Sequence, residues 1–376
     1  MTLDDAAGGP RGTAGDGHTA RSDTVRLLVT GAGTGRTNNL IRSLRAGRTP
    51  LQIIGCHHDR FLLAKSAADR SYLAPRPSDD GFTGALRKVI RDERIDLILT
   101  SNESETLAVA RARNDLPCRV FLPATATIEL CQDKYECARH LANGGIPVPA
   151  TYPIEDRHDI ARIFHRLGHP PLLWCRTRTG AGSRAATMVK DADQAWSWIS
   201  YWNEMRGTTT GEFTLSEFLP GRDYNVQCLY HNGRAILVKM IERLSYLDGG
   251  NRPSGTSSTP ALAKTIRDDE TLDLCERAIQ VLDPAISGIL NIDLKEGQDG
   301  WPRITEINAG RFAMITNIYD FTGAHNMAES LVRIAIDKTS EIQLIRDIDP
   351  DYYLIREYDS PPDIVSIDKL SLYDNI

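Results

Sequence analysis

Apolar residues fall in short runs separated by polar and glycine-rich breaks. "VRLLVT" (25–30) precedes a glycine cluster and a helix-spaced stretch, "TNNLIRSLRAG". "LQIIGC" (51–56), "IDLILT" (95–100) and "RVFLP" (119–123) follow, with helical stretches between them. Four strands alternating with helices predict a parallel-sheet α/β domain over 23–123. Gly31, Gly33 and Gly35 do not complete a dinucleotide fingerprint, because Arg36 stands where its last glycine belongs. The second strand also ends in Gly55-Cys56-His57-His58, without an acidic residue for a ribose. A tight strand-to-helix turn accounts for the cluster, with an anion or substrate at the helix N-terminus as the alternative.

The pattern then changes. In "TIELCQDKYECARHLANGGIPVP", Thr127 can cap one helix whose apolar positions include Ile128, Cys131, Ala138 and Leu141. Asn143-Gly144-Gly145 ends it, and Pro147 and Pro149 keep the next stretch extended. "PPLLWCRTRTGAGSRAATMVKD" reads as strand, loop, strand, and a loop of this make-up can fold its N–H groups over an anion. "FTLSEFLPGRDYNVQCLYHNGR" gives a strand, a turn at Pro220-Gly221, an alternating strand over Tyr224–Tyr230, and a hairpin turn at Asn232-Gly233. "SGILNIDLKEGQDGWPRITEINAGRF" predicts two strands around Gly297–Gly300. Asn291 and Asp293 share one face of the first, and Glu306 and Asn308 share one face of the second. If those faces coincide, two carboxylates and an amide converge and need a cation between them. An all-oxygen donor set favours Mg²⁺ over zinc. Otherwise they form a polar sheet edge. The acidic segment from 339 onward, with "YYLIREYDSPPDIV", can add a strand.

Composition narrows the class. The 376 residues are 41% hydrophobic and 25% charged with a net charge of −6, which argues against nucleic-acid binding. No apolar run approaches the roughly 20 residues that cross a membrane. Residues 1–22 read as a disordered tail without a signal-peptide core. Seven scattered cysteines without a CxxC pair suggest reduced thiols in a cytoplasmic protein, and the histidines show no zinc spacing.

Order and spacing of these motifs resemble the ATP-grasp superfamily over about 24–335, in particular single-unit carboxylate–amine ligases and one half of the carbamoyl phosphate synthase large chain. The resemblance implies the α/β domain at 23–123, then an ATP-grasp fold at 124–338 whose two α+β subdomains clamp ATP, with a lid near 135–215 and an extension at 339–376. It assigns Lys134 and Arg176 to the nucleotide phosphates, and the loop with Gly180, Gly182 and Ser183 to a lid over them. Glu217 with the backbone of Phe218 and Leu219 would read adenine, and Asp223 the ribose. Asp293, Glu306 and Asn308 would hold Mg²⁺, with Mn²⁺ as an alternative ion. Relatives usually read E-x-N-P-R. Here Asn308-Ala309-Gly310-Arg311 is one residue longer, so the reach of Arg311 toward a phosphoryl group or substrate carboxylate is open. Arg243 is the other base implied to touch substrate or phosphate.

The function implied is ATP-dependent activation of a carboxylate as an acyl phosphate for attack by an amine. The partners would then be small-molecule acids and amines, with a homodimer as the suggested assembly. The alternatives are phosphorylation of bicarbonate or carbamate, a nucleotide-binding protein that does not turn over, and an NAD-dependent dehydrogenase, which the failed fingerprint disfavours.

Overall fold

The computed structural model describes residues 24–251, 257, 259–337, 346–358, 360–361 and 363–370. The expected tail at 1–22 lies outside them.

The first sheet is parallel, in the order β3-β2-β1-β4-β5. Its strands are β1 (Val25–Thr30), β2 (Leu51–His57), β3 (Arg70–Leu73), β4 (Leu97–Leu99) and β5 (Arg119–Val120). β1 is central, and its Leu27-Leu28-Val29 run is apolar because both faces are covered: Leu27 and Val29 pack with Leu40 and Leu44, and Leu28 with Leu86 and Val109. β3 is a fifth strand beyond the four the pattern predicts. It sits at the edge and is largely exposed, so "RSYL" carries no apolar signature. After β1 the chain turns through the glycine cluster into the helix Gly35–Arg45, capped by the Thr34 hydroxyl. Gly33 has φ of +89°, and a Cβ there would sit 1.7 Å from the Leu62 carbonyl oxygen, so this turn needs its glycine.

The expected single helix after residue 124 is two, Thr125–Gln132 and Lys134–Asn143. Asp133 is extended between them (φ −94°, ψ 101°) and caps the second, accepting from the backbone N–H of Tyr135 and Glu136. Aspartate favours this role over a helix interior. Thr127 is therefore not a cap. It lies inside the first helix and donates its hydroxyl proton to Asp283 at 2.9 Å.

A four-stranded antiparallel sheet follows, in the order β6-β9-β7-β8. It comprises β6 (Thr151–Pro153), β7 (Leu173–Thr177), β8 (Thr187–Val189) and β9 (Phe213–Glu217). It packs its own apolar core against the helices Arg157–Arg166 and Ala192–Arg206. The third sheet has seven antiparallel strands. They are β10 (Asp223–His231), β11 (Arg234–Tyr246), β12 (Pro260–Thr265), β13 (Gly288–Glu296), β14 (Pro302–Ala309), β15 (Tyr352–Ile355) and β16 (Asp363–Ser366). Their order is β14-β13-β10-β11-β12-β15-β16, so the C-terminal segment adds two strands where the sequence suggested one. The large apolar core is continuous between the first and third sheets: Leu28 and Ile54 belong to the same cluster as Val226, Met240 and Ile292. All seven cysteines are unpaired and six are buried. No helix among the described residues is long and apolar enough to cross a membrane.

One buried ion pair ties the segment before β15 to this sheet. Lys239 on β11 approaches Asp347 at 3.0 Å and donates to the carbonyls of Thr322 and His325. Asp347 in turn accepts from the N–H groups of Ala324 and His325, each at 2.8 Å. Burial opposes the Asp347 charge, but those N–H groups and Lys239 outweigh it and hold the carboxyl below its ordinary range. Asp347→Ala would leave a buried, uncompensated ammonium. It is expected to cost about 3–5 kcal/mol of stability in urea denaturation; a loss below about 1 kcal/mol would contradict that role.

Candidate active site

The candidate residues depend on how β13 and β14 pair. Asn291 lies opposite Asn308, and Asp293 opposite Glu306, so the two polar faces coincide. A register shift follows at once, because Leu294 lies opposite Ile304 and Thr305 is the extra residue. This bulge lets Ile304 and Ile307 both enter the core while Thr305, Glu306 and Asn308 all line the cleft. Thr305 serves both sides: its hydroxyl donates to the Asp293 carbonyl at 3.0 Å, and its carbonyl accepts from Arg176 Nη2 at 2.8 Å.

The carboxylates are held by distinct cations. Arg243, on β11 opposite Asp223, donates to Asp223 at 3.0 Å and to Asp293. Asn225 and Asn308 also donate to Asp293, at 2.8 and 3.1 Å. Burial nevertheless pushes the Asp293 carboxyl up, and Glu306 adds to this against the opposing pull of Arg243. Glu306 faces Arg176 at 3.6 Å and Lys134 at 4.0 Å. Burial would raise its carboxyl, but Lys134, Arg176, Arg311 and Arg243 outweigh it and hold it below the usual range. Burial lowers Arg176. For Arg243, burial is overcome by Asp293 and Asp223, which raise it well above its ordinary value.

Lys134 opens the second of the two short helices, so the break at Asp133 aims it into the cleft. Its ammonium donates to the Gly180 carbonyl at 2.7 Å, which holds the 179–185 loop down. Arg178 pins the same loop to Asp133 at 2.6 Å, and Trp198 donates to the Ala185 carbonyl at 2.9 Å. Gly182 and Ser183 complete the loop side of the cleft, while Glu217, Phe218 and Leu219 line it where β9 ends.

All the candidate site residues read from the sequence thus line one cleft between the second and third sheets. Two of them make contacts that the sequence did not predict. Asp223 is paired with Arg243 and the Tyr246 hydroxyl rather than standing open as an acceptor. Arg311 does reach the cleft, because Gly310 takes up the extra residue with φ of +84°. There Arg311 donates to Asn308 and, at 2.9 Å, to Glu103 from the first α/β unit.

Asp293, Glu306 and Asn308 fit a hard divalent cation by chemistry. They offer oxygen donors only, and two adjacent half-buried carboxylates are relieved by added positive charge. Among the described residues no group of three or more His, Cys, Asp or Glu side chains is arranged to hold a metal ion, so any site here rests on two carboxylates and an amide.

Two residues escape sequence reasoning, Arg36 in the cleft wall and Glu103, which bears on the cleft through Arg311. Glu103 opens a helix after β4, where an acidic residue is ordinary. Arg36 lies in the first turn of its helix, the end at which the dipole disfavours a cation. That misplacement is a usable signal, and the structure puts Arg36 in the cleft, donating to the Phe312 carbonyl at 3.1 Å.

Residues 131–313 match the model of the ATP-grasp domain. Solved structures share the fold. An L-amino acid ligase from Bacillus licheniformis is 15% identical with a TM-score of 0.66, covering 89% of this chain and 79% of that one. A biotin carboxylase from Campylobacter jejuni, in a β,γ-ATP complex, is 12% identical with a TM-score of 0.67, covering 88% and 74%. A carboxyaminoimidazole ribonucleotide synthase from Aspergillus clavatus, complexed with ATP, is 15% identical with a TM-score of 0.64, covering 89% and 82%. A search of curated protein sequences found no match.

A charge-assisted hydrogen bond contributes about 1.5–3 kcal/mol. Lys134→Met is therefore expected to raise the open population of the 179–185 loop roughly 10-fold or more. Tryptic cleavage after Arg184 in nucleotide-free protein should speed up accordingly, and an unchanged rate would remove Lys134 as the anchor.

Proposed function

We propose that this chain, whose residues 131–313 belong to the ATP-grasp domain family, is an ATP-dependent ligase that joins a carboxylate to an amine. The observation that carries the reading is the register of β13 on β14. It sets Asp293 and Glu306 side by side on one wall of a cleft whose other walls supply Lys134, Arg176 and the 179–185 loop.

A carboxylate resists amine attack because oxide is a poor leaving group. In the proposed reaction a substrate carboxylate oxygen attacks the γ-phosphorus of ATP and ADP departs, leaving an acyl phosphate. The amine nitrogen then attacks the acyl carbon, phosphate leaves, and the nitrogen sheds a proton to solvent. The protein's part is positioning and neutralisation of a loose phosphoryl transition state. Lys134 and Arg176 would donate to phosphate oxygens once a nucleotide displaces their present carbonyl partners, Gly180 and Thr305. Asp293, Glu306 and Asn308 would hold Mg²⁺, which draws charge from the phosphate oxygens when bound. Glu217 with the backbone of Phe218 and Leu219 would receive the adenine, and the 179–185 loop would exclude water from the intermediate. Asp223 keeps Arg243 in place, and Arg243 in turn holds Asp293. Arg311 is the base nearest Asn308 and is proposed to hold the substrate carboxylate.

ADP release from MgATP with a panel of acids and amines, and with bicarbonate, tests the reaction. Release that requires an acid and an amine together, with an amide adduct detected by mass, is expected. Release driven by bicarbonate alone, or none with any pair, would overturn it. Glu306→Gln is expected to slow turnover about 10- to 150-fold with the fold intact by circular dichroism. Turnover near wild type would remove Glu306 from the site.

A further inference from the structure

Three guanidinium groups from distant parts of the chain gather at the cleft: Arg311 and Arg36 line it, and Arg356 lies close enough behind Arg36 to act on its charge. Arg311 follows β14, is 6% exposed, and spends Nη2 on Glu103 and Asn308, while its Nε is buried without a partner. Arg36 comes from the first helix. Burial, and after it the Arg311 guanidinium, pushes Arg36 down to about 9, with Arg356 adding to the effect. Arg356 follows β15, and its backbone N–H donates to the Ala261 carbonyl at 2.8 Å. This sets its guanidinium behind the glycine turn, with Nη2 3.7 Å from where a Cβ on Gly35 would stand. Its Nη1 is buried without a partner. Glu103 faces this group and is already bound by Arg311, while Asp293, which also acts on Arg36, is bound by Arg243. Buried cations in excess of their partners are costly, and a planar guanidinium fork matches an anionic oxygen group.

We infer that Arg36 and Arg356 form a second anion subsite beside Arg311, so that the acid this chain activates carries a second anionic oxygen group, carboxylate or phosphate. The inference rests on the ligase reading and names its substrate class. Arg311 holds the carboxylate to be phosphorylated, and Arg36 with Arg356 selects acids that bring the second charge. They are specificity-determining residues and take no part in the chemistry.

Hydroxylamine makes a general test, because its nitrogen attacks an acyl phosphate, phosphate leaves, and a coloured-assay hydroxamate forms whatever the natural amine. The full chain with MgATP and hydroxylamine is given succinate, glutarate, L-aspartate, L-glutamate or O-phospho-L-serine. Each is set against its singly charged counterpart: butyrate, valerate, L-asparagine, L-glutamine or L-serine. At least one doubly anionic acid is expected to exceed its counterpart about 10- to 100-fold in kcat/KM, the effect of one charge-assisted contact. Which acid wins tells carboxylate from phosphate. Arg36→Gln and Arg356→Gln should each close most of that gap by raising KM for the acid while leaving KM for ATP unchanged. Equal or better use of the singly charged acids, or an undiminished preference in both variants, would overturn the inference. Calorimetry of the same acids into protein loaded with magnesium AMP-PNP separates the two levels. Binding that both variants weaken, without hydroxamate from any acid, would leave the subsite standing and overturn the ligase reading. Absence of binding by every doubly anionic acid would overturn the subsite.

Discussion

Two half-buried carboxylates, Asp293 and Glu306, face each other across adjacent strands, and much of the site follows from keeping them charged there. Burial favours the neutral acid. Glu306 escapes this because Lys134, Arg176, Arg311 and Arg243 surround it, whereas Asp293 remains raised despite Arg243. Those cations come from a helix start, from β7, from the loop after β14 and from β11. A single electrostatic requirement therefore pulls the second and third sheets into register, and Glu103 draws in the first α/β unit through Arg311.

Backbone irregularities position these groups. The bulge at Thr305 keeps Ile304 and Ile307 in the core while turning Glu306 and Asn308 to the cleft. The helix break at Asp133 places Lys134 at a first turn, where it reaches Gly180. Gly310 in the left-handed region absorbs one inserted residue and returns Arg311 to the cleft. Each departs from regular structure where a charged side chain has to be aimed, which is the usual place for local rules to yield to function.

Much of this was legible in the chain. The period-two placement of Asn291/Asp293 and Glu306/Asn308 predicts shared faces, and the hairpin at Asn232-Gly233 follows from its turn residues, both of which have positive φ. The order of the glycine loop, the stretch around Glu217 and the final strand pair pointed to the fold. What stayed hidden has physical causes. β3 is an exposed edge strand with no apolar stripe. The helix break shows no periodicity change, because Cys131 and Cys137 both face the core across it. The bulge cannot be read from apolar spacing alone, since a three-residue interval within a strand fits either a bulge or a turn. Arg36 and Arg356 are separated by most of the chain, so only the tertiary fold brings them together, although a cation in a helix's first turn was a visible anomaly.

The central claim is that the opposed carboxylates exist to receive a divalent cation with its nucleotide. Titration calorimetry of AMP-PNP into the wild-type chain and Asp293→Asn, with magnesium and then with EDTA, tests it most directly. The account predicts magnesium-dependent binding in the wild type, weakened at least about 10-fold by EDTA and by the substitution. Equal affinity with and without magnesium, or in the variant, would contradict it.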